Sequence, residues 1–176
     1  MPLTRPVPPI ADLLDSAVHS AVHLEMRDVY AVDPESEELT RWRATGRRSG
    51  PESPYWQNWV NVVRRTVARG VVVHRARIVS EPVSEYIRFE HAGTPVNIAA
   101  GEEVRWLPRR QTSDLALPGN DFWLFDGRLI RFGHFSGDGA LTGHDLTEDP
   151  GVVKMCSDAF DAVWARATPH GQYEIR

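Results

Sequence analysis

The run Leu115–Gly139, LALPGNDFWLFDGRLIRFGHFSGDG, decides how this chain folds. Apolar and aromatic residues fill two short segments, DFWLFD and RLIRFGHF, with Asp126-Gly127 between them. Asp-Gly between apolar runs is the strongest short-range hairpin signal, because these residues take the positive φ that a tight primed turn requires. A second break, Ser136-Gly137-Asp138-Gly139, precedes a third run, ALTGHDL. The stretch therefore predicts a β-hairpin or meander. Phe122, Leu124, Leu129 and Phe132 are assigned to packing, and Trp123 and His134 to the opposite face or the sheet edge.

Downstream, Asp149-Pro150 supplies a cap and a first-turn proline for a closing helix. Its apolar face carries Val152, Val153, Cys156, Ala159, Phe160, Val163, Trp164 and Ala167. Upstream, VVVHRARIV (71–79) is β-branched and reads as a buried strand, and EEVRWLP reads as another. Trp56, Trp59, Val60, Val63 and Val67 recur at helical spacing until Gly70. Ser80 is expected to start a helix carrying SEYIRFEH, and Thr94-Pro95 a further short helical turn closed by Gly101. RRQTSDLALP reads as a loop or a helical turn. Near the N-terminus, IADLLDSAVHSAVHLEM shows one apolar stripe at helical spacing, LEMRDVYAV reads as a strand, and Asp33-Pro34 opens a polar helix through PESEELTRWRA. Helices alternating with strands give an α/β class: a single domain, a mixed β-sheet flanked by helices, with a C-terminal meander and closing helix. Residues 1–9, rich in proline, are expected to be a flexible tail, and residues 10–176 the domain.

A chain of 176 residues suits one domain, and 41% hydrophobic with 25% charged residues is a globular composition. No apolar run approaches the roughly 18 residues of a membrane span, and MPLTRPVPPI lacks the apolar segment of a signal peptide, so a cytoplasmic location is expected. Cys156 is the sole cysteine, which removes intrachain disulfides. The net charge of −4 argues against direct nucleic-acid binding. Arg47-Arg48, Arg64-Arg65 and Arg109-Arg110 are scattered along this acidic chain and read as solvated faces.

His19 and His23 stand four apart with Glu25 close by, a spacing found in zinc sites. On a helix both histidines would point away from the apolar stripe, so no metal is expected. There is no Gly-x-Ser-x-Gly elbow, and no glycine-rich phosphate loop opens a helix, so no cofactor is expected either. Charged residues inside apolar runs carry more information. Glu25 and Arg27 would share a strand face, Arg88 and Glu90 interrupt EYIRFEH, Arg105 precedes Trp106, and His134 lies between aromatic residues. Gathered at strand ends, these groups would form a polar cleft for an anion or a peptide. Alternatively they satisfy one another as structural ion pairs at the sheet edge.

The runs HSAVHLEMRDVYAVDPE, RARIVSEPVSEYIRFEH, NIAAGEEVRWLPRR, LPGNDFWLFDGRLIRFGHFSGDG and EDPGVVKMCSDAFDAVWARATPH, in this order across residues 15–173, resemble an actinobacterial family of unknown function. That resemblance implies an Xre-type helix-turn-helix regulator as partner and supplies no reaction. The final hairpin and helix also resemble the closing part of a phospholipase D-like half-domain, whose active members carry His-x-Lys-x4-Asp-x6-Gly. Placing its aspartate on Asp126 puts the glycine on Gly133, the histidine on Gly119 and the lysine on Asp121. Without a nucleophilic histidine or a lysine to hold phosphate, that chemistry is not expected.

Two functional readings are open. The first is a non-enzymatic regulatory or interaction protein that binds a partner protein or a small anionic ligand through Glu25, Arg27, Arg88, Glu90, Arg105 and His134. The alternative is an enzyme of unfamiliar type, a toxin-like nucleic-acid hydrolase or a secondary-metabolism tailoring enzyme. There His134 would be the general base, and Arg88 or Arg105 would stabilise developing negative charge.

Overall fold

The expected meander forms one flank of a seven-stranded sheet around which the molecule is built. The computed structural model describes residues 6–31 and 35–176. Part of the expected N-terminal tail, residues 1–5, and the helix start at Asp33-Pro34 lie outside the described residues. In chain order the strands are β1 (Ser20–Glu25), β2 (Val72–Val79), β3 (Glu103–Pro108), β4 (Phe122–Phe125), β5 (Leu129–Phe135), β6 (Leu141–Thr147) and β7 (Thr168–Pro169). They lie in the order β6-β5-β4-β1-β2-β3-β7. β1, β2 and β3 are parallel to one another; the other pairings are antiparallel. The helices are α1 (Ile10–Ser16), α2 (Ser36–Thr45), α3 (Pro54–Ala68), α4 (Glu85–Ala100) and α5 (Pro150–Arg166). The mixed sheet flanked by helices is thus observed, with the meander and closing helix at its C-terminal end.

Strand alternation splits the core between two faces. On one, Leu24, Ala76, Ile78, Leu107, Phe122, Leu124 and Ile130 pack against Cys156, Phe160 and Val163 of α5. Cys156 is a packing residue there, as its place on the helix predicts. On the other, Trp123, Phe125 and Val73 meet Leu13, Leu14 and Val62 of α1 and α3. Val104 and Trp106 meet Tyr86, Ile87 and Phe89 of α4 on that same face.

The Asp126-Gly127 turn is a primed turn with φ of 51° and 64°. It also corrects the N-terminal reading. The helix expected to run through IADLLDSAVHSAVHLEM stops at Ser16, and the strand begins at Ser20. The Asp126 carboxylate accepts hydrogen bonds from the backbone N–H groups of Val18, His19 and Ser20 at 2.7–3.1 Å. Those donors would have continued the helix. Asp126→Ala removes the acceptor and places a Cβ residue without local hydrogen bonds at positive φ. A loss of about 2 kcal/mol is expected, read as a fall in Tm of roughly 4–8 °C; Asp126→Asn should keep most of the stability.

Two other element starts move. Ser84, not Ser80, caps α4, accepting from the Ile87 N–H at 3.1 Å. Ser80 is held instead by Asp28, to which it donates both its N–H and its hydroxyl at 2.7 Å. Thr94-Pro95 opens no separate helix: α4 runs through Pro95, with Phe89, Gly93, Thr94, Asn97 and Ala100 all buried along it. Gly93 makes room for the Arg48 guanidinium, which donates to the Phe89 carbonyl: a Cβ there would lie 2.3 Å from it and displace it.

Candidate functional site

Strand register and period-two alternation lay two rungs of side chains across the face covered by α3 and α4. The first reads Arg131 on β5, Trp123 on β4, His23 on β1, Arg75 on β2 and Val104 on β3. The second reads Gly133, Asp121 just before β4, Glu25, Arg77 and Trp106. Two adjoining cavities of about 350 and 530 Å³ open over these rungs. Both are lined by His23, Arg75, Glu90, Trp123 and Arg131, so they form one cleft. Gly133 leaves room at the second rung, where His144 and Phe135 close the wall.

The cleft floor is a buried ion network. Arg75 donates to Glu25 at 2.8 Å and to Glu102. Arg77 contacts Glu25 at 2.6 Å and Glu90 at 2.7 Å. α4 presents Tyr86, Glu90 and Asn97 on its sheet-facing side, and Asn97 holds the second oxygen of Glu102 at 2.8 Å. Burial alone would raise the Glu25 carboxyl, but the guanidiniums of Arg77 and Arg75 outweigh it and hold it at about 2. Burial pushes the His23 imidazole well below its ordinary value despite Glu25 nearby, so it is neutral. It stacks on Trp123 with centroids 4.2 Å apart.

Two further carboxyls face the cleft with their pKa shifted the other way. Burial, reinforced by the charge of Glu90, raises Glu35 to about 7, although the Tyr86 hydroxyl donates to it at 2.6 Å. Burial raises Asp121 to about 6, against hydrogen bonds from the Tyr30 hydroxyl and from the Met26 N–H at 2.8 Å. Arg131 differs from the floor arginines. No carboxylate pairs with it among the described residues, and burial lowers its pKa, whereas their carboxylates raise those of Arg75 and Arg77; its Nε, like that of Arg77, has no protein hydrogen-bond partner.

The residues picked from the sequence divide. Glu25 and Glu90 line the cleft. Arg27 does not share a strand face with Glu25, because β1 ends at Glu25. It lies over Phe135 and donates to the Ser136 carbonyl, beside a neighbouring cavity that also contains Arg109 and Gly119. Arg88 is exposed on α4. Arg105 lies on the α5 face, 4.1 Å from the Trp164 ring and bonded to Glu103. His134 shares that face; it pairs with Asp145 at 2.9 Å and lines none of these cavities. His19 lies in the bend between α1 and β1 and His23 in β1, so neither is on a helix, and only His23 reaches the cleft. Asp121, which stands where the phospholipase D motif has its lysine, places a carboxyl in the cleft.

Sequence reasoning misses Arg75, Arg77, Arg131, Glu35 and Asp121. A signal exists for three of them. Arg75 and Arg77 alternate within the apolar run VVVHRARIV, and Arg131 sits in RLIRFGHF, so each has to face something able to hold a buried charge. Of the arginine pairs, Arg48 is buried against Glu38, Arg65 grips Asp15, and Arg109 bonds Ser80 and the Met26 carbonyl.

No helix among the described residues is long and apolar enough to cross a membrane. No curated protein matches the chain. Among solved structures, the chain is similar to that of TrmBL2, an archaeal chromatin protein described as showing a novel mode of DNA binding. That match has a TM-score of 0.49 and 14% identity, and covers 90% of this chain. The chain spans about half of that protein's length, 49%. One family model matches residues 9–175, nearly the whole of the chain, and by that match the chain belongs to DUF6879, a family of domains of unknown function.

Proposed function

We propose that this domain is a regulatory ligand-binding module whose cleft holds a small organic molecule by an acidic group, without converting it. One observation carries this reading: Arg131, a half-buried guanidinium that faces the cleft and, among the described residues, has no carboxylate paired with it. An unpaired, partly desolvated charge is costly to keep and becomes favourable when an anion completes it. Arg75 and Arg77 cannot play that part, since each already meets two carboxylates. The aromatic walls, Trp59 and Trp123 in T-shaped contact at 6.1 Å, suit the flat apolar body of such a ligand. A helix-turn-helix partner, implied by the sequence resemblance, would read the bound state. His134, on the opposite face, has no role in this reading.

The test is Arg131→Met, assayed by calorimetry against small aromatic carboxylates and phosphates. The variant should melt at or above the wild-type temperature without ligand, because a desolvated unpaired charge is gone. It should bind any acidic ligand of the wild type about 10–100-fold more weakly, the effect of one charge-assisted hydrogen bond. Equal affinities in the two proteins would overturn the proposal.

A further inference from the structure

Beyond the acidic group, the charge count in the cleft carries information about the rest of the ligand, provided that the cleft binds an anion through Arg131 as proposed. Three guanidiniums, Arg75, Arg77 and Arg131, confront the carboxyls of Glu25, Glu35, Glu90 and Asp121, with Glu102 closing on Arg75 from behind. Glu25, Glu90 and Glu102 pair with Arg75 and Arg77, each of which meets two of them. Among the described residues, Glu35 and Asp121 are left with tyrosine hydroxyls and one backbone N–H as hydrogen-bond partners and form no ion pair, Arg77 and Arg27 acting on them only from beyond contact. A purely anionic ligand would answer Arg131 and leave this surplus of acid untouched.

We infer that the cleft takes an aromatic zwitterion of the amino-acid kind, its acidic group on Arg131 and its ammonium group between Asp121 and Glu35. The geometry supports a single small molecule doing both. Gly133 donates its N–H to the Asp121 carbonyl at 2.9 Å and is two residues from Arg131 on the same strand face. The two anchor points are therefore about 7 Å apart along the sheet, and the long Arg131 side chain can shorten that gap. Each carboxylate oxygen has lone-pair capacity beyond the single donor it meets here. The Tyr30 ring, 5.7 Å from Tyr86 and 5.1 Å from Phe135, adds π faces beside these carboxyls, and such faces attract organic ammonium groups. The groups facing Glu35 are Glu90, Tyr86, Arg77 and Glu25; those facing Asp121 are Tyr30, Glu25, the Met26 N–H and Arg27. Acid outnumbers base around Glu35, and around Asp121 the Glu25 carboxylate offsets the Arg27 guanidinium.

The decisive experiment titrates the full chain by calorimetry with phenylalanine, 3-phenylpropionate and phenethylamine, which differ only in which charge they carry. Phenylalanine should bind at least about 10-fold more tightly than either analogue, each charged contact being worth that much or more. Arg131→Met should erase its advantage over phenethylamine, and Glu35→Gln/Asp121→Asn its advantage over 3-phenylpropionate. At pH 6.5 in buffers of different ionisation enthalpy, the two amines should release protons on binding as they draw Glu35 and Asp121 into the ionised form. Should 3-phenylpropionate bind as tightly as phenylalanine and depend on Arg131, the ammonium site is overturned while the anion-binding reading stands. Phenethylamine matching phenylalanine, with no sensitivity to Arg131→Met, would overturn the acidic half of both. Failure of all three to bind at millimolar concentration overturns the aromatic zwitterion; the anion-binding reading is then judged on its own panel of carboxylates and phosphates.

Discussion

Arg77→Met is expected to destabilise the protein by about 3–5 kcal/mol at pH 7, a fall in Tm on the order of 10 °C. The Arg77 side chain is 5% exposed and bridges Glu25 and Glu90, which are 12% exposed. Methionine reproduces the aliphatic stem and its packing beside Trp106, so the loss is electrostatic rather than a cavity. Glu25 would keep Arg75, and Glu90 would lose the one cation paired with it among the described residues. The pH dependence identifies the cause. In the wild type, Glu25 is held at about 2 against an ordinary 4.5. Its stabilising contribution is therefore complete above pH 4.5 and is lost as pH falls towards 2. The variant lacks much of that contribution, so the gap between the two proteins should narrow over the same interval. Urea melts at pH 7 and pH 3 measure both quantities. Adding Glu90→Gln to the variant should recover part of the loss at pH 7. A cost below about 1 kcal/mol, or a gap independent of pH, would mean that the network is not the structural floor of the cleft.

How far the sequence can be read depends on whether a signal is local. The Asp126-Gly127 hairpin, the capped helix after Asp149 and the β-branched strand 71–79 are specified by neighbouring residues, and all are found. The α1–β1 boundary is not legible, because the group that ends the helix, Asp126, lies about a hundred residues away. The cleft is hidden for the same reason. Glu25 and Glu90 stand out as charges in apolar runs, but so do Arg105 and His134, and only strand register separates the two faces. Arg105 is one residue out of phase with Val104 on β3, and His134 one residue out of phase with Gly133 on β5, so both leave the cleft face. Asp121 and Glu35 give no local signal at all. Their chemistry comes from burial beside Tyr30 and Tyr86, a property of the assembled cleft.

Asp121→Asn should reverse the usual penalty for losing a buried carboxylate. Asparagine can accept from the Met26 N–H through its carbonyl and donate to the Tyr30 oxygen through its amide, so both contacts survive. Folding raises the Asp121 carboxyl from 3.8 to about 6, so between those values the folded chain binds more protons than the unfolded one. Stability then falls with rising pH through that window, and the group is a liability above pH 6. The interval corresponds to roughly 3 kcal/mol at full ionisation. The variant lacks this term. Its stability relative to wild type should be near zero at pH 4, where the buried acid is protonated and isosteric with the amide, and rise by up to that amount by pH 8. Glu35→Gln should show the same rise between 4.5 and about 7. Chemical melts at half-unit pH steps give the difference curve, and other titrating groups cancel in the subtraction. A flat curve would mean that Asp121 is already ionised at little cost, and the acid surplus in the cleft would disappear with it. A rising curve carries a second consequence: because the carboxylate is destabilising only while it lacks a cation, a bound amine should flatten the curve by removing the wild-type penalty.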